Sequence, residues 1–427
     1  MSVWYDKVTF LFKNKDLRKK FLVVLFLFVV FRIAANVPIP GIGLENLRKF
    51  FTQNQVFGLL NIFSGGALSN FSIVLLGLGP YITATIILQL LTMIFPALEK
   101  MYKEEGEAGR QKFNQYGRLL TIPLAAFEGY GILTLFVRQG IITGLTPMIM
   151  ASSIITIVAG SMFLMWIGEI ITEQGIGNGI SLLIFAGIIA RLPVNIFETF
   201  ITFDTSKIPA YLLFFASSLL IIAGVVLITE ARRNIPVSYA KRVRGNKVYG
   251  GQSTYLPLNV NPAGVIPIIF ALSILLFPGM VAGFLSGVPG FVGVWAGNVG
   301  AFFNNSWVHG VLYFILVVIF TYFYTAVTFD PKTIADNLQK MGGFIPGVRP
   351  GESTTKFLKH ILNRVLFVGA ISLGFIAVLP NIVGGLTGIT GFAFLIGGTS
   401  LLIIVSVVLD TFRQINAQLQ MREYDTF

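Results

Sequence analysis

Few side chains in this 427-residue chain have the types and spacing that chemistry requires. The two histidines, His309 and His360, lie far apart, and there is no cysteine, which excludes thiolate catalysis, disulfides and Cys/His metal sites. No GxxxxGK[ST] run is present, so the chain does not itself consume nucleotide through a P-loop. The GIGNG of Gly175–Gly179 looks like a phosphate loop, but it lacks a following lysine and opens an apolar run, so it reads as a tight helix entry. Glu128 and Arg32 are the main charges inside apolar runs. A charge at the centre of a bilayer costs about 2.5–3.5 kcal/mol on insertion scales, so such residues are kept for a use. Arg32 is near the end of its run and can snorkel to the interface. Glu128 suits either a proton carrier or, more readily, a carboxylate paired inside a helix bundle. No Ser/His/Asp arrangement and no carboxylate pair falls within any apolar run, and no enzymatic activity and no cofactor is expected.

The chain is organised instead around residues 57–90, FGLLNIFSGGALSNFSIVLLGLGPYITATIILQL. A short apolar piece, Phe57 to Phe63, runs into Ser64-Gly65-Gly66, pauses at Ser69-Asn70 and continues as a long apolar run broken by Gly77, Gly79 and Pro80. At membrane depth such breaks are tolerated only inside protein or beside a water-filled cavity. The stretch therefore predicts a short re-entrant helix followed by a broken spanning helix, both lining something.

The elements that must position this stretch follow from composition. Hydrophobic residues make up 55% of the chain and charged residues 12%, with a mean hydropathy of +0.79. Soluble domains carry about 25% charged residues, so this is an integral membrane protein. The apolar runs are helix-length rather than the short alternating segments of an outer-membrane barrel. They predict an all-α bundle of ten transmembrane helices near 21–36, 71–95, 116–137, 148–170, 176–192, 208–229, 263–285, 307–329, 361–381 and 390–412. With the N-terminus inside, 25 of the 31 Lys and Arg residues fall on the cytoplasmic side and 5 opposite (Arg48, Lys49, Arg138, Arg191 and Lys207), with Arg32 within the first span. That asymmetry places both termini in the cytoplasm. No small-residue cleavage site follows the first run, which reads as a retained span.

Ten spans divide into two sets of five, and an odd number forces the second set to enter from the opposite face, as in an inverted repeat. The second span of each set carries the interruptions: Gly77, Gly79 and Pro80 in one, Pro262, Gly264 and Pro267 in the other. Paired Gly/Pro breaks point to a central pathway. The domain reading is a cytoplasmic segment 1–20, an N-terminal half 21–192 with its re-entrant piece at about 60–70, a C-terminal half 208–412, and a cytoplasmic tail 413–427. Two basic loops, 230–260 and 330–364, carry Arg232-Arg233, Lys241 to Arg244 and a stiff turn, Pro346 to Gly351, that projects Arg349. Such loops serve as topology determinants and contacts for anionic lipids, and their length also fits a docking surface for a large anionic partner. A secondary transporter with inverted repeats is the competing reading, and it requires ionisable groups at the midplane.

Long ordered motifs then carry a family resemblance: NIFSGGAL (Asn61–Leu68), GPYITATIILQLL (Gly79–Leu91), KEEGEAGR (Lys103–Arg110), MFLMWIGEIITEQGIGNGISLLIFAGI (Met162–Ile188), YAKR (Tyr239–Arg242), QSTYLPLNVNPAGVIPIIFA (Gln252–Ala271), FDPKTIADNLQKMGGFIPGVRPGE (Phe329–Glu352) and GGTSLLI (Gly397–Ile403). Together, from about Val23 to Asp410, the chain resembles the bacterial SecY family, the channel subunits of the Sec protein translocon. The resemblance implies an hourglass of two five-helix halves that passes unfolded secretory polypeptides and releases membrane segments sideways through a lateral gate between spans two and seven. It implies a pore ring of Leu78, Ile82, Ile180, Ile184, Ile269 and Ile403, and a plug that includes Ile62, Phe63, Ser64, Gly65, Gly66 and Ala67. Such a ring dewets and blocks ions while offering a sliding peptide no fixed hydrogen bonds. Gln89 and Asn261 are candidates for polar pairing at the lateral gate. Arg349, with Arg242, Arg244 and Lys247 in the companion loop, would meet a SecA-like ATPase motor or the ribosome. SecE-like and SecG-like small subunits, signal sequences and nascent polypeptides are the other implied partners, in a bacterial plasma membrane. The chain departs from the family pattern at Asn234, where another basic residue is expected, and at Leu78, where isoleucine is more usual.

Overall fold

Where an apolar run contains no backbone breaker, it forms a helix long enough to cross a bilayer. The computed structural model describes residues 15–40, 64–138, 140–142, 146–201, 205–239, 242–244, 247–249, 253–285, 290–387 and 398–425. In chain order the helices are α1 (Lys15–Ala34), α2 (Gly79–Ile94), α3 (Pro96–Lys103), α4 (Gly106–Arg138), α5 (Pro147–Glu173), α6 (Gly179–Ile201), α7 (Ile208–Glu230), α8 (Ile266–Leu285), α9 (Phe291–Asn304), α10 (Ser306–Thr328), α11 (Pro331–Lys340), α12 (Glu352–Thr387) and α13 (Gly398–Asp425). By length and composition, six helices among the described residues can span a membrane, or seven if α2 and α3, bent by 111° at Phe95, count as one. The expected first, fifth and seventh spans correspond to α1, whose first turns are strongly charged, and to the shorter apolar parts of α6 and α8. The helix α13 runs on to Asp425, so residues 413–425 of the expected tail are helical.

The second span departs from expectation. Residues 71–78 form turns, and the helix begins only at Gly79. The glycines and prolines here start helices instead of interrupting them. Gly77 sits at φ +59° and Gly264 at φ +63°, the left-handed region that glycine enters at little cost. Each lies two residues before the first helical residue, Gly79 or Ile266, and three before a proline, Pro80 or Pro267. Proline suits the first turn, where its missing N–H has no helical partner to lose. The same Gly-x-x-Pro entry therefore opens α2 and α8, and Ile82 and Ile269 each stand five residues after the glycine.

The helices pack in two sets. In the first, α5 contacts α1, α2, α4 and α6, and α2 lies along α4; in the second, α12 contacts α7, α10 and α13, and α8 lies along α10. The sets meet along two seams, α8 against α2 and α4, and α6 against α13. Backbones come close at the small residues. A Cβ at Gly160 of α5 would collide with the carbonyl oxygen of Ile73, so α5 lies directly on the turn segment before α2. Gly160→Val is expected to lower stability by about 1–3 kcal/mol, as overpacking against backbone does, and a fall in the melting temperature of the detergent-solubilised protein checks it.

The all-helical expectation fails in the basic loops. Residues of 230–260 form β1 (Arg232–Tyr239), β2 (Arg242–Arg244), β3 (Lys247–Tyr249) and β4 (Ser253–Asn259), and β5 (Gly343–Phe344) comes from the second loop. β1 pairs antiparallel with β4 over Arg232↔Asn259 to Ser238↔Ser253, and with β5 at Ser238↔Phe344 and Tyr239↔Gly343. The reason is alternation: Ile235 and Val237 point inward while Asn234 and Pro236 face out, the period of a half-buried strand. Ile235 and Val237 join Leu258, Ala335, Leu338, Ile345, Leu358 and Ile361 in one buried cluster. The two loops are therefore one folded module resting on the start of α12.

Candidate functional site

The predicted ring residues converge. Leu78, Ile82, Ile184, Ile269 and Ile403 belong to a single buried cluster, with Ile180 packed against it. They come from α2 and its entry turn, α6, α8 and α13, four of the five helices that form the two seams. Among the five buried ones, relative exposures run from 0% for Ile403 to 8% for Ile82, and Ile180 is half-buried. Leu78/Ile82 and Ile180/Ile184 are i,i+4 pairs, each directed from one side of its element. The neighbours in the cluster are likewise aliphatic or aromatic, among them Val265, Ile268, Leu272 and Leu402. Chemically, this site can only exclude water and fixed charge. Among the described residues, no group of three or more His, Asp and Glu side chains could hold a metal ion.

Ser64, Gly65, Gly66 and Ala67 lie in the run of turns that leads into Leu78, and all four are buried; Ile62 and Phe63 lie outside the described residues. Ala67 belongs to the ring's cluster, and Ser64 lies against Gly77. Polar tethers hold this segment. Arg32 Nη1 donates to the Gly65 carbonyl at 2.6 Å. Arg191 donates to the Ser69 hydroxyl, which donates to the Gly66 carbonyl at 3.0 Å. Asn70 Nδ2 donates to Asn36 Oδ1 at 3.0 Å. The roles of Arg32 and Arg191 were not read from the sequence. The available signal was that Arg191 is on the side poor in basic residues and Arg32 is within a span, so neither helps set orientation.

The two gate candidates, Gln89 and Asn261, are not bonded to each other. Gln89 is buried on α2 with its Oε1 unpartnered, while Asn261 donates Nδ2 to the Gly264 carbonyl at 3.1 Å and leaves its own Oδ1 without a partner. Asn261 is committed to the turn that opens α8, so no hydrogen bond ties it to Gln89. Between α2 and α4, the Glu128 carboxylate approaches Gly79, whose carbonyl accepts from Thr83 Oγ1 at 3.1 Å.

On the loop module, Arg242, Arg244 and Lys247 lie in the β2–β3 hairpin, with Arg244 opposite Lys247. Arg349 is exposed at the tip of a turn bounded by Gly347 at φ +82° and Gly351 at φ +96°, and its carbonyl accepts the Thr354 hydroxyl at 2.9 Å. Asp330 caps α11 through Lys332 N at 3.0 Å and Thr333 Oγ1 at 2.6 Å. Burial pushes its carboxyl pKa up, but the bonds from Thr333 and Lys332 outweigh this and hold it below the usual value. The cap is therefore charged and formed above the ordinary carboxylate range and weakens only as pH falls below it. Asp330→Ala is expected to cost about 1 kcal/mol of local stability, read as faster amide exchange in α11 at neutral pH.

The SecY family model matches residues 72–412, most of the chain. The chain belongs to the SecY family. The protein translocase subunit SecY of Thermus thermophilus is 45% identical over 423 residues, covering 96% of this chain and 95% of that one. Its counterpart in Aquifex aeolicus is 43% identical over 431 residues, covering 98% of each. Among solved structures, a protein-conducting channel aligns with a TM-score of 0.65 at 21% identity, over 92% of this chain and 91% of that chain. Canine Sec61 in a ribosome–channel complex aligns with a TM-score of 0.60 at 19% identity, over the same shares; both are likenesses of fold. The chain is a multi-pass membrane protein and a protein-conducting channel subunit of a translocase.

Proposed function

We propose that the apolar cluster is the waist of the channel and that residues 60–70 are its plug. In this reading the chain spans the membrane ten times, in two inverted halves with both termini in the cytoplasm of a bacterium and its bulk in the plasma membrane. Unfolded polypeptide threads the waist. A signal sequence or an apolar segment of about 20 residues leaves through the α8 seam with α2 and α4, because lipid solvates it better than the channel does. The observation that supports this reading is that six aliphatic side chains, supplied by both helix sets, gather in and against one apolar cluster. A secondary transporter would place ionisable groups there, and these positions are leucine and isoleucine.

The folded loop module, with Arg349 and the Arg242–Lys247 hairpin, is the docking surface for a SecA-like ATPase and for the ribosome. A ribosome-bound relative of the same fold supports the second partner. Anionic lipid head groups meet the remaining basic residues on this side. SecE-like and SecG-like membrane subunits complete the complex, the former clamping the two halves together. The deciding experiment reconstitutes the chain with these subunits and the motor in vesicles and measures ATP-driven uptake of a preprotein. Uptake that needs a signal sequence is the expected result. Uptake of a small solute without preprotein passage would overturn the reading.

A further inference from the structure

We propose that Arg32 and Arg191 form a latch that fixes the plug to the N-terminal half, so that the lateral gate opens while the plug still seals the pore. The inference rests on reading residues 64–70 as the plug and the α2–α8 seam as the gate.

The latch is built on both sides. On the plug, two successive residues are glycines in the left-handed region, Gly65 at φ +67° and Gly66 at φ +92°. Their lack of side chains lets the clamp approach. A Cβ at Gly65 would lie 2.9 Å from Gly187 Cα and 3.1 Å from the Phe31 ring, and one at Gly66 would lie 2.6 Å from the Arg191 guanidinium. On the clamp, Arg32 holds the Gly65 carbonyl, Arg191 holds Ser69, and Asn36 accepts from Asn70. Each of these groups belongs to α1, to the turn after it, or to α6, and α1 and α6 pack against each other.

The seam that must part for lateral exit joins α8 to α2 and α4. None of the latch bonds described here crosses it. Separating α8 therefore leaves them intact, and gate and plug become separable steps. The acceptors named here are neutral, a carbonyl and a hydroxyl. Guanidinium donors make charge-assisted bonds to them, yet releasing them leaves no buried anion behind, and water in the opened channel can take over the carbonyl. Entry of a translocating polypeptide would break the latch, whereas signal binding alone would not.

The absence of cysteine allows a clean test. A single cysteine is placed at Ala67, which is 0% exposed. Labelling by a water-soluble maleimide is followed in vesicles carrying the chain with its partner subunits, with the gate shut or held open by a signal peptide. Ion conductance of the cysteine-free channel is recorded in parallel. With both arginines present, labelling under signal peptide stays at the closed-gate rate. Arg32→Gln, Arg191→Gln and the milder Ser69→Ala each raise it about tenfold or more under signal peptide, the factor for losing one charge-assisted bond, and conductance rises with it. Arg191→Lys, which keeps the charge but not the fork, lies between.

Two results overturn the latch: labelling of the unaltered channel that rises as soon as signal peptide binds, or variants that match it in both labelling and conductance while the position is labelled readily during preprotein passage. A different result, protection in every variant even while preprotein passes, sinks the plug reading itself.

Discussion

Vesicles carrying the Ile82→Asn or Ile403→Asn channel are expected to leak ions at rest, where the unaltered channel is tight. Both residues are buried in the waist cluster, Ile403 fully. A narrow apolar constriction resists wetting, and that resistance is the barrier to ions. Exchanging one buried aliphatic side chain for an amide removes about 1.5–3 kcal/mol of apolar preference and supplies hydrogen-bonding groups that hold water. If that free energy comes off the barrier, conductance rises about 10- to 100-fold, since each 1.4 kcal/mol is a factor of ten. Leu78→Ile conserves volume and polarity and should leave the seal unchanged, which separates wetting from general damage. The variants should also pass preproteins with defective signal sequences, because a destabilised closed state needs less help to open. Planar-bilayer conductance with preprotein uptake reads both effects. If several waist variants remain as tight as the original, the constriction lies elsewhere, although the family assignment stands.

Arg349→Glu is expected to have the opposite profile, with motor-driven uptake lost and sealing intact. Arg349 is exposed, and it is the main-chain carbonyl, not the guanidinium, that carries the bond to Thr354. The turn is set by Gly347 and Gly351, so replacing the side chain leaves the fold alone. A guanidinium docked on an anionic partner contributes about 1.5–3 kcal/mol through charge-assisted bonds, and reversal adds repulsion. Uptake should therefore fall at least about tenfold at limiting motor concentration. Arg349→Lys keeps the charge without the planar fork and should retain part of the activity. A normal uptake rate for Arg349→Glu would remove this turn from the docking surface.

The proposed gate is consistent with which contacts are cheap to break. The α2–α8 seam is apolar at the waist, and its two buried amides, Gln89 and Asn261, are not bonded to each other. By contrast, α7 and α13 are joined within their half by Arg413, which donates to Glu230 at 2.9 Å and to the Thr229 carbonyl. On the other seam, Gln418 of α13 donates to the carbonyl of Gly175, just before α6. Among the described residues, the α6–α13 side carries this polar tie while the two buried amides on the α2–α8 side are not bonded to each other, an asymmetry that fits the proposed gate at α2–α8.

Much of this was legible without coordinates because it depends on one-dimensional properties. Hydropathy over twenty-residue windows marks apolar helices wherever they pack, and the Gly/Pro entries before Tyr81 and Ile268 reflect backbone conformations that few other residues adopt. The waist residues were placed by family motif, and the shared spacing of Ile82 and Ile269 from Gly77 and Gly264 was a second signal open to the sequence. The strands in the 230–260 loop were also signalled, by the alternation around Ile235 and Val237, but the dense charge nearby pointed to a docking loop without a strand assignment.

What the tertiary structure alone decided were contacts between residues distant in the chain. The pairing of β1 with β5, the hydrogen bonds of Arg32 and Arg191 to Gly65 and Ser69, and the commitment of Asn261 to its own turn depend on where separate helices and strands come to rest. A hydrogen bond between residues 33 or 122 positions apart leaves no periodic trace, because it is set by packing geometry summed over the whole bundle. Composition fixes which segments enter lipid; only close packing fixes which of their few polar groups meet.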